Sequence, residues 1–227
     1  MKRKFVEACI QLMEEKGHDK TSLRDVAKLA GYNQATVYNY FANVDHLKFY
    51  AAMRLTRDYY QSLVDYVADA KDSMDRFLLI WESFCVHAFR QPELFQYRFY
   101  LFVGDENDDI VEGYYEDFPE DFQPGLGSSI TEMLTRTNIT DRAMALVDDL
   151  ILEGYIRQED REKFNDLILI LFEGVFLRVL NKRIDKETAL RRLMGHIIDA
   201  TSAYLQKPYD FDAFKAGAKK RLSEAEA

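Results

Sequence analysis

Residues 21–47, TSLRDVAKLAGYNQATVYNYFANVDHL, contain two short helical patterns separated by a glycine. Ser22 suits the N-cap of the first helix, because the carboxylate of Asp25, three residues later, can reach back to it. Gly31 suits the end of this helix, where a residue with positive φ closes the last turn. The spacing therefore predicts a helix that ends at Gly31 within about three turns, followed almost at once by a second helix.

The second short helix has a defined start and a defined inward face. Asn33 is a favourable N-cap, and Val37 and Phe41, four residues apart, predict the side that faces the core. We expect this helix to stop near Ala42. Two short helices joined by a tight glycine turn form a helix-turn-helix, in which the second helix enters the major groove of DNA.

The outward positions of the second helix carry side chains that can read DNA. The amide of Gln34 can pair with an adenine edge, and the small Ala35 can contact a thymine methyl. Thr36 and Tyr38 offer hydroxyls to phosphates, although a core position is the alternative for Tyr38. The residues predicted to bind DNA are Ser22, Arg24, Asn33, Gln34, Ala35, Thr36, Tyr38, Asn39, Tyr40 and Lys48.

The remaining long segments also have helical period, and no alternating run of β-branched residues indicates a strand. The sequence therefore predicts an all-α fold, with a small N-terminal three-helix domain and a larger helical domain. Cys9 and Cys85 are expected to be small core residues. Further helices are predicted at residues 2–16, 45–69 and 77–89, after Pro92, and at 129–137, 140–152, 161–182 and 186–206, with residues 209–227 as a tail or short final helix.

Composition is that of a globular protein, with 227 residues, 48% of them apolar, and a net charge of −9. It excludes disordered and collagen-like chains. The longest apolar run, residues 167–172, is too short to span a bilayer, and no signal peptide is visible, so we expect a cytoplasmic protein.

The charge is distributed unevenly along the chain. Residues 1–57 carry 10 Lys and Arg against 6 Asp and Glu, whereas residues 58–227 carry 20 against 33. A chain with a basic N-terminal part and an acidic remainder can bind a polyanion only through the basic part.

The helix at residues 161–182 has too many apolar residues for a single buried stripe. One side can serve the core of its own chain, and the other is covered most simply by the same helix of a second copy. We therefore predict a homodimer whose interface includes Leu171, Val175, Leu193 and Ile197.

Residues 104–128 are acidic and rich in glycine and proline, which predicts a loop with one helical turn at 110–115. Asp105, Asn107, Asp109 and Glu116 fall at positions 1, 3, 5 and 12 of a calcium-binding loop. Ile110, however, stands where that loop needs glycine. We favour a solvated acidic loop over a calcium site and predict neither a metal nor a cofactor.

With these residues in place, the sequence resembles the TetR family of bacterial transcriptional regulators. Residues 21–27, 30–41 and 43–47 carry the resemblance. Two positions depart from the family pattern. Val44 stands where a phosphate-binding lysine is common, with Lys48 one turn later as its candidate substitute, and Asn39 stands where histidine or a large aromatic residue is frequent.

The resemblance implies a ligand pocket in the larger domain, a connecting helix that tilts when ligand binds, and a four-helix dimer interface. Aromatic side chains are the candidates for the pocket lining, and ordinary core packing is the alternative for most of them. The residues predicted to bind ligand are Trp81, Phe84, Phe95, Phe99, Tyr115, Phe172 and Phe176.

These inferences together predict a sequence-specific transcriptional regulator. We expect a dimer on a palindromic operator in double-stranded DNA, acting as a repressor relieved by an unidentified small-molecule effector, with no membrane partner. The expected domains are residues 1–50 for DNA binding, 51–207 for ligand binding and dimerisation, and 208–227 as a C-terminal tail.

Two alternatives from other classes stay open. A structural DNA-binding protein would have the same N-terminal three-helix domain but would bind no effector. An enzyme with an apolar helical pocket is the other alternative, but the sequence contains no phosphate-binding glycine loop and none of the zinc-protease, dithiol or serine-hydrolase motifs.

Overall fold

The computed structural model describes residues 1–101, 109–122 and 128–224, and the regular secondary structure in these ranges is entirely helical. The predicted all-α fold is confirmed. Residues pack into two compact units, one formed by Met1–Tyr60 with Glu93–Pro124 and the other by Gln61–Pro92 with Gly125–Ala227. Among the described residues, no helix is long and apolar enough to cross a membrane.

The first unit is built around the N-terminal helices. Helix α1 packs against α2 and α4, α2 packs against α3, and α4 contacts α8. The helices of this unit are α1 (Lys2–Lys16), α2 (Leu23–Ala30), α3 (Gln34–Tyr38), α4 (Val44–Leu55), the start of α5 (Arg57–Val67), α7 (Pro92–Gln96) with a π-helical turn at Tyr97–Leu101, and α8 (Asp109–Asp117) with a 3-10 turn at Pro119–Asp121.

The predicted single helix over residues 45–69 is instead two helices, α4 and α5, which meet at Thr56. The hydroxyl of Thr56 donates to the carbonyl oxygen of Ala52 at 2.8 Å. A threonine that hydrogen-bonds back to the preceding turn competes with the helical ladder and bends it. The hydroxyl of Thr56, which bonds back to α4, is therefore the physical reason for the break.

The second unit surrounds the apolar helix α6 (Ser73–Arg90). Helices α10, α11 and α12 pack against α6, and its side chains from Phe77 to Val86 are all buried. The other helices of this unit are α9 (Ser128–Thr135), α10 (Ile139–Leu152), α11 (Arg161–Leu180), α12 (Lys186–Tyr204) and α13 (Phe211–Glu224), with a 3-10 turn at Gln158–Asp160.

Three local predictions are resolved by these bounds. Pro92 does open a helix, α7, and the helical turn predicted at residues 110–115 lies inside α8. The residues after Pro208 form a helix of 14 residues, α13.

Both cysteines are free and buried, as predicted. Burial raises the pKa of the Cys9 thiol to about 12, so this sulfur stays protonated and behaves as a small core group.

Candidate nucleic-acid interface

The helix-turn-helix forms because each short helix is capped by its own sequence. Ser22 accepts a hydrogen bond from the backbone N–H of Asp25 at 3.2 Å, and Asn33 accepts one from the N–H of Thr36 at 2.9 Å. Between the helices, Gly31 has φ 80° and ψ 28°, the left-handed region that favours glycine. The turn between α2 and α3 is therefore fixed locally.

The orientation of α3 is set by side chains that it buries. Val37 is 0% exposed and Phe41 1% exposed. Phe5 of α1 packs against Tyr32 and Tyr40, with ring centroids 5.4 and 5.9 Å apart. Because one face of α3 is held in the core, its opposite face must point to solvent.

Most of the residues predicted to bind DNA lie on that accessible surface. Tyr38 is 53% exposed, so its side chain is not part of the core of the N-terminal three-helix domain. The others divide by exposure as follows: Ser22, Arg24, Asn33, Gln34, Ala35 and Asn39 are exposed, and Thr36 and Tyr40 are half-buried.

Lys48 differs from the rest of the predicted set. It lies in α4 and is only 7% exposed, because the helix buries a continuous run from Leu47 to Met53. Its side chain would have to move to reach a phosphate. The sequence signal, a lysine one turn after Val44, contained no information about that burial.

The start of α2 and the start of α3 together line a surface concavity of about 800 Å³. Its wall includes Ser22, Arg24, Asn33 and Gln34, four of the residues predicted to bind DNA. Lys16 forms an ion pair with Asp25 at 2.6 Å beside it, and the bonds from Lys16 and Ser22 lower the pKa of the Asp25 carboxyl. Asp25 is therefore ionised and paired with Lys16, next to the cation Arg24.

An acidic segment, residues 109–122, contacts the basic side chains of α1 and α4 within the first unit. Lys2 pairs with Asp117 at 2.5 Å, Arg3 pairs with Glu120, and the Nη1 of Arg54 donates to Asp121 at 2.6 Å. Lys2, Arg3 and Lys4 form a basic run at the start of α1, and two of these three cations have carboxylate partners.

Aromatic packing reinforces these ion pairs. The guanidinium carbons of Arg3 and Arg54 lie 4.7 and 5.1 Å from the ring centroid of Phe118. The hydrogen bonds from Arg3 lower the pKa of Glu120 to about 2. The carboxylate therefore stays ionised over the whole physiological range.

Residues 5–47 match the family model described as bacterial regulatory proteins, tetR family. The chain carries a TetR-family DNA-binding domain. The matched range begins in α1 and ends in α4, so it contains the complete helix-turn-helix and the helices that hold it.

Solved structures of TetR-family proteins share the fold beyond this domain. Thermus thermophilus FadR, a TetR-family repressor in complex with lauroyl-CoA, is 14% identical, with a TM-score of 0.56 over 92% of this chain and 98% of its own. The fatty acid degradation regulator FadR of Bacillus halodurans is 14% identical, with a TM-score of 0.53 over 86% and 93%. SmeT, the repressor of a Stenotrophomonas maltophilia multidrug efflux pump, is 16% identical, with a TM-score of 0.52 over 91% of each chain.

At these identities the neighbours establish that the chain has the fold of TetR-family regulators. No curated protein matches the sequence significantly.

The structure brings together four of the seven residues predicted to bind ligand. Trp81, Phe84, Phe172 and Phe176 form an aromatic cluster in the second unit, in which Phe172 lies 5.7, 5.2 and 5.3 Å from the other three rings. The Nε1 of Trp81 is buried and has no hydrogen-bond partner among the described residues.

The other three predicted ligand residues belong to the first unit. Phe95 packs on Phe99 with centroids 5.5 Å apart, and Tyr115 lies beside Tyr114 and Phe122 at 5.5 and 5.4 Å. The predicted pocket set is therefore divided between the two compact units. Helical spacing alone cannot assign aromatic residues to one group or the other.

The predicted dimer residues are mostly in the core of the chain itself. Leu193 and Ile197 are 0% exposed and Val175 is 8% exposed, whereas Leu171 is half-buried. Leu193 and Ile197, predicted at the dimer interface, are buried within the chain itself in α12, a helix that packs against α6 and α11. The apolar residues of α11 that do face solvent are Ile170, 65% exposed, and Leu177, 56% exposed.

Asp105 and Asn107 of the calcium-loop alternative lie outside the described residues, as does much of the predicted loop at 104–128. The described remainder of that stretch is the acidic segment. Within the described part of the chain, no group of His, Cys, Asp or Glu residues is placed to hold a metal ion.

Proposed function

We propose that the protein is a homodimeric, sequence-specific transcriptional repressor, which binds a palindromic operator and is released from it by a small molecule. The observation that carries the proposal is the exposed face of α3 within a TetR-family DNA-binding domain. Gln34, Ala35 and Asn39 are exposed on a helix whose other face is buried through Val37. A helix that is fixed on one side and polar on the other suits major-groove recognition.

The roles on this surface follow from side-chain chemistry. Gln34 and Ala35 read base edges, Gln34 through its amide and Ala35 through close approach. Tyr38 donates its hydroxyl to a phosphate oxygen, and Arg24 supplies charge at the start of α2. The hydroxyls of Ser22 and Thr36 donate to Asp25 and Asn33 in the free protein and would exchange these bonds for phosphate oxygens on DNA. Base contacts give the protein its sequence preference, whereas phosphate contacts set its register.

The dimer is proposed to form through α11, where Ile170 and Leu177 are exposed one above the other at a separation of seven residues. Residues i and i+7 lie on the same side of a helix. Gly174, exposed between them, would let a second helix approach closely. A twofold dimer places two recognition helices on half-sites about 34 Å apart, or a multiple of that spacing.

The effector is proposed to bind at the aromatic cluster around Phe172. The buried indole N–H of Trp81, unpartnered among the described residues, is available as a donor to a ligand acceptor, since a buried donor without a partner is costly. Thermus thermophilus FadR in complex with lauroyl-CoA and the efflux-pump repressor SmeT are neighbours that support a ligand-relieved repressor. The class we propose is a largely apolar molecule with one acceptor group.

Selection of bound duplexes from a random DNA library tests the proposal directly. The native protein should enrich an inverted repeat, whereas Tyr38→Ala, which lacks one phosphate contact, should enrich the same repeat more weakly at the same salt concentration. Gln158→Ala, which truncates an exposed glutamine in the 3-10 turn before α11, is the matched control and should behave as the native protein. Equal enrichment of the repeat by Tyr38→Ala and the native protein would contradict the assigned surface.

A ligand-independent DNA-binding protein is the second candidate. The close packing of the aromatic cluster favours it, because rings 5.2–5.7 Å apart can fill the interior of the unit. The two candidates differ in one result. If the operator is bound with equal affinity in the presence of every member of a metabolite library, the ligand-independent protein is the correct assignment.

A further inference from the structure

A second cavity, distinct from the aromatic cluster, lies within the second unit and has a volume of about 800 Å³. It is bordered by the end of α5, the start of α6, the turn containing Tyr155 and the segment from Pro208 to Gly217. We call it the C-terminal cavity. This volume falls in the usual range for small-molecule sites.

The charge of the lining is strongly one-sided. Five aspartates border the C-terminal cavity, Asp65, Asp69, Asp72, Asp75 and Asp210, against one lysine, Lys71. Carboxylates gathered in one concavity repel one another, and the repulsion is relieved by a bound cation.

The aspartates fall into two groups, which differ in their hydrogen bonds and in their exposure. Asp72 and Asp75 hold the walls together, because Asp72 accepts from the hydroxyl of Tyr155 at 2.6 Å and Asp75 accepts from the hydroxyl of Tyr209. Asp65 lies in the last turn of α5 and Asp69 two residues beyond its end, and both side chains are exposed. The negative end of the helix dipole adds to their charge and favours a cation there.

The lining also contains aromatic rings, which favour an organic cation over an inorganic one. Tyr66, Tyr155, Tyr209 and Phe214 border the same space as the aspartates. A contact of this kind is present within the chain, where the ammonium of Lys207 lies 3.6 Å from the ring centroid of Tyr155. One ring of the lining therefore makes a cation–π contact with an alkylammonium of the same chain.

From the cavity, its charge and its rings, we infer that the C-terminal cavity binds an organic cation with two or more ammonium groups joined by an apolar chain. The ammonium groups pair with the carboxylates of Asp65, Asp69 and Asp210, and the chain lies against the tyrosine rings. This site differs from the proposed effector site in both place and charge.

The test is calorimetric titration of the full-length protein with spermidine in the absence of DNA. The native protein should bind spermidine, and the double variant Asp65→Asn, Asp69→Asn should bind it at least tenfold more weakly. The matched control is Glu159→Gln, Glu187→Gln, which removes the same charge from exposed positions outside the cavity and should keep the native affinity. Thermal unfolding of each variant checks that it is folded.

Three results would overturn the inference. They are the absence of binding up to about 1 mM spermidine, an equal loss of affinity in both double variants, and complete displacement of spermidine by millimolar Mg²⁺. The last result would mean that charge alone is recognised. Because DNA is absent, failure here leaves the proposed operator binding untouched, and failure of operator binding leaves this test valid.

Discussion

Tyr38 and Gln34 are the residues whose exposure most directly concerns DNA recognition. Replacing either with alanine should weaken operator binding by about 1–3 kcal/mol, the typical value of a good base or backbone contact. The thermal unfolding midpoint should stay close to the native value, because surface truncations change stability by only about 0.5 kcal/mol. Fluorescence anisotropy and calorimetry measure the two effects. A large loss of stability together with binding would place these side chains in the core.

Gly31 is a residue whose backbone, not its side chain, is needed. Its φ of 80° lies in the left-handed region, and a Cβ added there would meet no atom within 4 Å. Gly31→Ala should therefore cost about 1–2 kcal/mol of stability from backbone strain alone. Gly31→Asn should cost less, since asparagine tolerates this region better than alanine does. Urea unfolding of the two variants should show that order, and equal costs would contradict the strain explanation.

Glu120 should titrate far below its ordinary pKa of 4.5, with a midpoint at about pH 2. Because the folded-state pKa is depressed, the pairing with Arg3 contributes stability above pH 4.5, and this contribution is lost as the pH falls toward 2. Removing the charge with Arg3→Gln should move the Glu120 midpoint back up toward 4.5. Side-chain carboxyl chemical shifts measured by NMR against pH report this change, and an unmoved midpoint would exclude Arg3 as the cause.

At the scale of elements, we expect the acidic segment to compete with DNA for the cations of α1. Lys2 and Arg3 are paired with Asp117 and Glu120, so phosphates must displace these carboxylates before they can use the same charges. The double variant Asp117→Asn, Glu120→Gln should therefore bind the operator more tightly. Its salt dependence should also steepen by about one to two units of slope, one for each additional phosphate contact.

The control for this competition is Glu159→Gln, Glu187→Gln, which removes two charges from the second unit and tests the effect of net charge alone. Anisotropy titrations at several salt concentrations measure both quantities. If the two double variants tighten binding equally, the gain comes from net charge and the pairing between α1 and the acidic segment is irrelevant to DNA.

At the scale of the whole molecule, the exposed residues of α11 determine the expected assembly. Ile170→Glu and Leu177→Glu should each convert the dimer to a monomer, because a charge at an apolar interface must be buried without a partner. Leu152→Glu, at an 85% exposed leucine of α10, is the matched control and should stay dimeric. Sedimentation velocity distinguishes the two species. A monomer in the control as well, or a persistent dimer in both test variants, would refute α11 as the interface.

Local sequence determined the parts of this protein that depend on neighbours in the chain. Ser22, Gly31 and Asn33 define the helix-turn-helix because a cap or a left-handed turn is made by atoms within a few residues. The spacing of Val37 and Phe41 likewise predicts which side of α3 is buried, and therefore that Gln34 and Ala35 are available to DNA. The family resemblance was visible for the same reason.

Tertiary structure alone decided what depends on residues far apart in the sequence. Leu193 and Ile197 are as apolar as Ile170 and Leu177, and only the packing of α12 against its neighbours makes the first pair core and leaves the second pair exposed. The pairing of Lys2 with Asp117, like the cavity that collects Asp65 and Asp210, joins residues more than 100 positions apart. Helical periodicity fixes the phase of each helix separately, whereas the choice of partner depends on the mutual packing of helices, which no local pattern encodes.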